Sequence, residues 1–184
     1  MKPETTISEQ TMFEGRVIDL NLRQAELMDG TVVSREIVVN KGAVVIVPVT
    51  ANNEVRLVKQ YRAAAETWVI ELPAGGLEPN EDPDLAAPRE LLEETGDRAA
   101  AWHKLGGFYT APGVLTEFLQ IYLATDLTPG PNHLEFDEHI EVITVPWAEA
   151  IAMIRRHEIE DAKTIAGLML AGLHLELISV SSGQ

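Results

Sequence analysis

Three glutamates and one arginine occur close together in a stretch with helical character: Arg89, Glu90, Glu93 and Glu94. At roughly 100° per residue, the three glutamates project within about one third of the helix circumference. Carboxylates on one face repel each other, and Arg89 can offset part of that repulsion by pairing with Glu93 at i+4. Carboxylate oxygens are also ligands that Mg²⁺ prefers, together with phosphate and water. The pattern therefore predicts either a divalent-cation site or an ordinary solvated acidic helix face.

A loop rich in glycine and proline precedes this helix. Its loop-forming residues are Pro73, Gly75, Gly76, Pro79 and Pro83. From Asp84 the pattern becomes helical, and Gly96 is expected to end the helix. Leu85 and Leu92 lie seven residues apart, so we expect them to form an apolar face opposite the carboxylates. By this assignment Pro88 falls in the first turn or so, where proline is least harmful.

The spacing of these residues is more specific than their helical character. It reads Gly75, five residues, Glu81, seven residues, Arg89-Glu90-Leu91, one residue, Glu93-Glu94, one residue and Gly96. This arrangement resembles the signature box of the Nudix hydrolases, which implies metal-dependent chemistry on a pyrophosphate. The family has an apolar residue where this chain has Asp97, and a more usual helix former where it has Pro88. Neither departure removes a carboxylate.

Composition bounds the class of protein. The chain has 184 residues, enough for one domain with a sizeable core, and its 46% hydrophobic and 23% charged residues are ordinary for a globular protein. It contains no cysteine, which excludes disulfides, thiolate metal sites and cysteine nucleophiles. The first ten residues have no signal-peptide core, and no run is long and apolar enough to span a membrane, so we expect a cytoplasmic protein.

The net charge of −15 restricts the partners of the chain. Nucleic-acid binding over a broad surface normally needs a basic patch, so we expect neither a nucleic-acid nor a membrane partner. The same charge repels a substrate that carries phosphate. Divalent cations and a few local arginines would therefore have to reverse the field at the site.

The remaining sequence predicts an α+β fold. Residues 1–10 are expected to form a flexible tail, and Asp29-Gly30 predicts a hairpin within residues 12–39. Further strands are expected at 42–49, 54–61, 68–72, 103–110, 118–124 and 140–145, and helices at 148–156 and 161–177. This order predicts a mixed β-sheet sandwiched between helices, with N-terminal antiparallel strands, as in the Nudix fold. We assign residues 1–40 to the tail and dimerisation strands, and residues 41–184 to the Nudix hydrolase domain.

Motifs outside the box resemble the ADP-ribose pyrophosphatase branch of that family, over roughly residues 31–175. They are Lys59-Gln60-Tyr61-Arg62, Glu71-Leu72-Pro73-Ala74-Gly75, and Thr110-Ala111-Pro112-Gly113 with Glu117. Pro112 lies sixteen residues after Gly96, a spacing that marks this branch, although the branch usually has serine in place of Ala111. The motifs do not separate ADP-ribose from GDP-mannose or other nucleoside diphosphate sugars.

The resemblance implies a set of metal ligands for Mg²⁺, with Mn²⁺ as a substitute. The expected ligands are the carbonyl of Ala74 and the carboxylates of Glu90, Glu93 and Glu94. Glu90 and Glu94 are the first choices because they lie one turn apart on one helix face. Glu93 is the next ligand, or else an orienting group paired with Arg89.

The resemblance also implies a general base on an acidic loop after the sheet. The matching loop here contains Glu138, our first candidate, and Glu135, our second. A general base must come within hydrogen-bond reach of the attacking water. A box glutamate is the remaining catalytic candidate, and a solvated acidic loop is the alternative in which neither residue takes part.

Substrate contacts are implied at six positions. They are Arg35, Glu36, Arg62, Pro112, Gly113 and Glu117. The planar fork of Arg62 can hold phosphate oxygens in two places, although a surface salt bridge would also explain this residue. Arg35 and Glu36 lie on strands that relatives often exchange between subunits, so the resemblance implies a homodimer in which these two residues reach the partner's substrate.

The function that follows is hydrolysis of the pyrophosphate bond of a nucleoside diphosphate sugar. ADP-ribose, which would give AMP and ribose 5-phosphate, is the first choice, and GDP-mannose or another nucleotide sugar is the alternative. An alternative of another class is a non-catalytic Nudix domain that senses a nucleotide. Loss of the box glutamates would be its sign, and all of them are present.

Overall fold

The computed structural model of the chain describes residues 2–134 and 139–178. Within these residues the elements follow in the order β1 (Glu4–Glu14), β2 (Asp19–Leu27), β3 (Val32–Val39), β4 (Ala43–Pro48), β5 (Glu54–Arg62), β6 (Thr67–Glu71), β7 (Ala74–Gly76), α1 (Pro83–Thr95), β8 (Arg98–Tyr109), β9 (Phe118–Thr128), β10 (Ile140–Pro146), α2 (Trp147–Arg155) and α3 (Ala162–His174).

One compact unit comprises Met1–Gly42 and Phe108–Phe118. Its strands β1, β2 and β3 form an antiparallel sheet in that order. In the β2–β3 turn Gly30 has a φ of 84°, a conformation that favours glycine, and the Thr31 N–H donates to Asp29 Oδ1 at 2.9 Å. The predicted Asp29-Gly30 hairpin is therefore present.

Strand β1 contradicts the prediction of a flexible tail at residues 1–10. It spans Glu4–Glu14 and pairs with β2, with register shifts between Thr6 and Ser8 and between Thr11 and Phe13. Nearly all of its residues are exposed on both faces. A strand without a buried face has no need of alternating apolar residues, so the sequence lacked the period-two signal that indicates a strand.

A second compact unit comprises Ala43–Gly107 and Leu119–Gln184. It contains a mixed sheet in the order β7-β4-β9-β8, in which β4 runs parallel to β9 and antiparallel to β7. It also contains an antiparallel sheet in the order β10-β5-β6. The centre of β4 is fully buried, as its nearly continuous apolar run predicts.

Helices cover both faces of β4. On one face a hydrophobic cluster joins α1 to the strand through Ala86, Ala87, Leu91, Val44 and Ile46. On the other face a Cβ added to Gly167 of α3 would lie 3.4 Å from Val47 Cγ2 and 3.9 Å from Val45 Cγ1. Successive strand residues point to opposite faces, so α1 and α3 lie on opposite sides of the strand. The predicted mixed sheet between helices is confirmed.

The last helix is shorter than predicted. The helical spacing predicts residues 161–177, whereas α3 ends at His174. Glu176 has a φ of 57°, a left-handed conformation that ends a helix. Among the described ranges, no helix combines the length and apolar character that crossing a bilayer requires.

Candidate active site

The box folds as β7, a loop and helix α1. The side chain of Asp82 caps the helix by accepting from the Asp84 N–H at 3.0 Å, and Pro83 occupies the first turn. Gly96 closes the helix at a φ of 77°, and its N–H donates to the Leu92 carbonyl. Pro88 lies inside the helix, not in its first turn as predicted, because the helix starts at Pro83. Its ring nitrogen cannot donate to the carbonyl four residues back.

The buried face of α1 differs from the predicted one. Leu85 is 69% exposed, so the Leu85–Leu92 face does not form. The residues that are buried instead are Ala86, Ala87, Glu90, Leu91, Glu94 and Thr95. Two of the box carboxylates are therefore withdrawn from bulk water, and an ordinary solvated acidic face is excluded for Glu90 and Glu94.

One cavity of about 300 Å³ gathers the predicted metal ligands. Its lining includes Ala74, Gly75, Arg89, Glu90, Glu93 and Glu94. The side chain of Glu93 is 39% exposed, whereas that of Glu90 is 11% exposed. The cavity is therefore lined by carboxylates that differ in burial, together with Ala74 of β7.

Arg89 joins three glutamates at this cavity. Its Nε and Nη2 donate to the two oxygens of Glu81, each at 2.9 Å, and its Nη1 donates to Glu90 Oε1 at 2.7 Å and to Glu93 Oε2 at 2.9 Å. The hydrogen bond to Glu81 and the charges of its neighbours raise the pKa of Arg89 despite partial burial. The bond from Arg89 in turn lowers the pKa of Glu81. The predicted pairing with Glu93 is present, and the Glu81 contact was not predicted.

Strand β7 brings its backbone against the two buried carboxylates. The Ala74 N–H donates to Glu94 Oε2 at 3.0 Å. A Cβ added to Gly75 would lie 2.0 Å from Glu90 Cδ. Only glycine leaves room for Glu90 at that point, which is a physical reason for this box residue.

Arg62 binds Glu71, a residue of the branch motif for which the sequence predicted no role of its own. Its Nε and Nη2 donate to the two oxygens of Glu71 at 2.7 and 2.6 Å. Burial opposes ionisation of Glu71, but hydrogen bonds from Arg62 and Lys163 outweigh it and lower the pKa of Glu71. The salt bridge that was the alternative for Arg62 is therefore present, with a buried partner. A charged residue inside the apolar strand that leads to Ala74 was the available signal for Glu71.

The first turn of α3 binds the end of β6 and the residue that follows it. Thr164 Oγ1 accepts from the Leu72 N–H at 2.7 Å and donates to Asp161 Oδ2 at 2.6 Å. Asp161 also caps α3 by accepting from the Thr164 N–H at 2.9 Å. Lys163 binds both Glu71 and Asp161. The sequence predicted only a helix here, because no local pattern reveals these contacts.

A cavity of about 710 Å³ lies within the first compact unit. Its lining includes Arg23, Arg35, Tyr109, Pro112 and Gly113. Three of the predicted substrate contacts are thus brought together, and Arg23 and Tyr109 join them without having been predicted. Among the described lining residues neither Glu36 nor Glu117 occurs. Arg23 lies opposite Arg35 in the β2–β3 register. The predicted hairpin at Asp29-Gly30 brings these two positions close together, so a signal for Arg23 was available in the sequence.

The two arginines of this cavity are paired with acids of β1. Arg23 Nε binds Glu9 at 2.5 Å, and Arg35 Nη2 binds Glu4 at 3.0 Å. Two like charges directly opposite on neighbouring strands are destabilising, and these acids offset that repulsion.

Comparison with known proteins decides the family. The family model described as NUDIX domain matches residues 39–168, more than half of the chain. This chain belongs to the Nudix family. The resemblance read from the box is thereby confirmed.

Three relatives align over most of their length with this Nudix chain. The ADP-ribose pyrophosphatase of Bacillus subtilis is 40% identical over 163 residues, which cover 88% of each chain. The methanol dehydrogenase activator of Bacillus methanolicus is 38% identical over 164 residues, covering 88% of this chain and 89% of the relative. The GDP-mannose pyrophosphatase of Cronobacter sakazakii is 35% identical over 147 residues, covering 74% and 73%. The predicted class, a Nudix pyrophosphohydrolase, is confirmed.

A solved structure shows the same fold. The crystal structure of an ADP compounds hydrolase superposes with a TM-score of 0.86, covers 96% of each chain and is 24% identical in sequence. At that identity the match establishes the Nudix fold and nothing finer.

The donor set of the box cavity fits a divalent cation. Nudix hydrolases generally need such cations. Carboxylate oxygens are hard ligands, and the side chains of Glu90, Glu93 and Glu94 line one cavity together with Ala74. Over residues 2–134 and 139–178, no three acidic or histidine side chains already converge as a metal cage, and Arg89 bridges Glu90 and Glu93 in this arrangement.

The predicted general bases, Glu135 and Glu138, lie outside the described residues. The segment that precedes them contacts the C-terminal end of α1. The His133 N–H donates to the Glu93 carbonyl at 2.9 Å, and a Cβ on Gly96 would lie 2.1 Å from the Gly130 carbonyl oxygen.

Asp97, the departure from the family pattern, is buried at the end of α1. Burial raises its pKa, and the charge of Arg56 and a hydrogen bond at Thr95 offset only part of that effect. Arg56 Nε lies 2.8 Å from Asp97 Oδ2. That pair is close enough for charge attraction but not aligned as a hydrogen bond. Arg56 was not predicted as its partner.

Proposed function

We propose that this chain hydrolyses the pyrophosphate bond of a nucleoside diphosphate sugar, with ADP-ribose as its first substrate. The observation that carries the proposal is the cavity that gathers Ala74, Glu90, Glu93 and Glu94 around Arg89. The products from ADP-ribose would be AMP and ribose 5-phosphate. The 40% identity to an ADP-ribose pyrophosphatase supports this choice of substrate.

Mg²⁺, or Mn²⁺ in its place, would be held by Glu90 and Glu94, with Glu93 and the Ala74 carbonyl as further ligands. When bound, the cation would neutralise charge on the diphosphate and make a nearby water more acidic. The Ala74 N–H fixes one oxygen of Glu94. Arg89 orients Glu93 and Glu90 in the same cavity.

The reaction is a displacement at phosphorus. The oxygen of a water molecule bonds to one phosphorus, and the bond from that phosphorus to the bridging oxygen breaks. The bridging oxygen leaves with the other phosphate, and the proton of the water passes to a general base. Glu138 is our first candidate for that base, Glu135 is the second, and a box glutamate is the third.

Substrate contacts are proposed for Arg62 at the diphosphate and for the unit that holds Arg35, Glu36, Pro112, Gly113 and Glu117. We propose that the chain is a homodimer whose N-terminal strands are exchanged. Apolar side chains on β1 support a partner surface, because Ile7, Met12 and Phe13 are each more than half exposed. Sedimentation equilibrium should give twice the mass of one chain, and a single-chain mass would overturn this part.

Two other functions have specific support. The 35% identity to a GDP-mannose pyrophosphatase favours a different nucleotide sugar on the same chemistry. The 38% identity to a methanol dehydrogenase activator favours a role through another protein. A non-catalytic sensor would leave the buried Glu90 and Glu94 without a chemical reason, so we rank it last.

A substrate panel tests the proposal. The protein is incubated with Mg²⁺ and ADP-ribose, GDP-mannose, UDP-glucose, NADH or a diadenosine polyphosphate, and the released monoester phosphate is measured. We expect the fastest release from ADP-ribose. Faster release from GDP-mannose would make GDP-mannose the proposed substrate in place of ADP-ribose, with the same hydrolysis of a pyrophosphate bond. Binding of a nucleotide without release of product would favour the non-catalytic sensor.

A further inference from the structure

Glu71 is a buried carboxylate with two cationic partners. Its side chain is 3% exposed. Arg62 donates to both of its oxygens, and Lys163 Nζ binds Oε2 as well. A buried carboxylate is costly unless it is paired and hydrogen-bonded, and here two cations share that role.

The two cations are held differently. Lys163 is 16% exposed and is also bound to Asp161 at 3.0 Å, in the first turn of α3. Arg62 is more accessible to solvent than Lys163, since its side chain is 41% exposed. The hydrogen bond to Glu71 is the largest cause that raises the pKa of Arg62, and the charge of Glu94 also contributes. Arg62 therefore lies within the field of a box carboxylate, while Lys163 is fixed away from solvent.

We infer that Lys163 is a positioning residue that keeps Glu71 neutralised, so that Arg62 can leave Glu71 and bind a substrate phosphate. This inference rests on the proposed function, since it assigns a phosphate-bearing substrate to the same site. If Arg62 were the sole partner, its departure would strand a buried charge. With Lys163 in place, Glu71 keeps a cation on Oε2 after Arg62 has moved.

A diphosphate is a strong competitor for the guanidinium. It offers several anionic oxygens, and the planar guanidinium of Arg62 can donate to two of them at once. The Arg62 side chain exchanges its pair with Glu71 for a pair with phosphate. Lys163 removes the main free-energy cost of that exchange, which is a buried Glu71 charge left without a cation. The geometry thus reconciles the salt bridge of Arg62 with its proposed contact to substrate.

The test compares Lys163→Met, Glu71→Gln and the double variant with the unchanged chain. Lys104→Met is the matched control, because Lys104 is half exposed and binds the exposed Asp84. The ligand is the α,β-methylene analogue of ADP-ribose with Mg²⁺, in which a carbon replaces the bridging oxygen and prevents cleavage. Its Kd is measured by calorimetry, turnover of ADP-ribose is measured separately, and thermal melting checks folding.

We expect Lys163→Met to weaken binding of the analogue about tenfold or more, because Arg62 then stays on Glu71. Adding Glu71→Gln to the same chain should restore Kd to within about threefold of the unchanged protein, because no buried charge then retains Arg62. Lys104→Met should bind the analogue normally.

Two results would overturn the inference: a normal Kd for Lys163→Met, or a weakened Kd that Glu71→Gln fails to restore. The second would mean that Lys163 touches the ligand or only supports the fold. Failure of the proposed function is distinguishable, because it would appear as absent turnover in the unchanged chain even where the Kd values behave as expected. Absence of analogue binding by the unchanged chain would also overturn the inference.

Discussion

The fold withdraws the carboxylates of Glu90 and Glu94 from water, which costs free energy unless they are hydrogen-bonded or paired with a cation. Glu90 receives a hydrogen bond from Arg89, and Glu94 receives one from the Ala74 N–H. These contacts hold both carboxylates in the cavity before any substrate arrives. Carboxylates held in this way can bind a divalent cation, and a site that acts on a diphosphate needs such a cation to offset negative charge.

Glu94→Gln tests the chemical role of one buried carboxylate. The amide oxygen can still accept from the Ala74 N–H, so we expect melting to change little, while turnover of ADP-ribose with Mg²⁺ falls at least about 100-fold. Glu160→Gln is the control, since Glu160 is exposed. Near-normal turnover in Glu94→Gln would remove this residue from the mechanism.

At the scale of elements, β7 and α1 form the site because the backbone of β7 lies directly against the carboxylates of α1. Sequence spacing was sufficient to predict the helix, its carboxylates and the pairing of Arg89 with Glu93. The predicted apolar face of α1 was wrong because the leucine periodicity pointed to Leu85. The buried contacts are made instead by two alanines and Leu91. Small residues carry little signal in a periodicity argument, although they allow the closest helix packing.

Contacts distant in sequence were beyond prediction for a related reason. Glu71 and Lys163 are separated by 92 positions, as are Leu72 and Thr164. Each residue is ordinary in its local context, and only the packing of α3 against the sheet brings them together. Strand β1 was missed because pairing with β2, not burial, defines it.

Two adjacent glycines test the contact between β7 and α1. Gly75→Ala should displace Glu90, because the new Cβ would lie 2.0 Å from its Cδ, whereas a Cβ on Gly76 meets nothing within 4 Å. We expect turnover of Gly75→Ala to fall at least about tenfold below that of Gly76→Ala, since misplacement of a catalytic group is costly. Equal turnover in the two variants would show that the position of Glu90 is unimportant.

At the scale of the whole molecule, a net charge of −15 makes stability sensitive to the pairing of carboxylates. Several acids have pKa values lowered by arginine partners, among them Glu9, Glu71 and Glu81. A lowered folded pKa stabilises the protein above the unfolded pKa, and that contribution is lost as the pH falls through the folded value.

Glu71→Gln isolates one of these contributions. The unfolded pKa is near 4.5 and the folded pKa is lower, so the stabilising effect of Glu71 is complete at pH 7 and declines below about pH 4.5. We expect the variant to be less stable by roughly 1–3 kcal/mol at pH 7, with a smaller difference at pH 3. Urea unfolding at both pH values measures this difference, and a gap that is unchanged by pH would contradict the assignment.

The position of the bound cation would show whether Glu90 and Glu94 hold a metal at the diphosphate. Crystals grown with Mn²⁺ and the α,β-methylene analogue of ADP-ribose would locate the ion by its anomalous scattering. We expect Mn²⁺ in the cavity beside Glu90 and Glu94, in contact with the diphosphate. Ions bound elsewhere, or a diphosphate bound away from these two carboxylates, would contradict it.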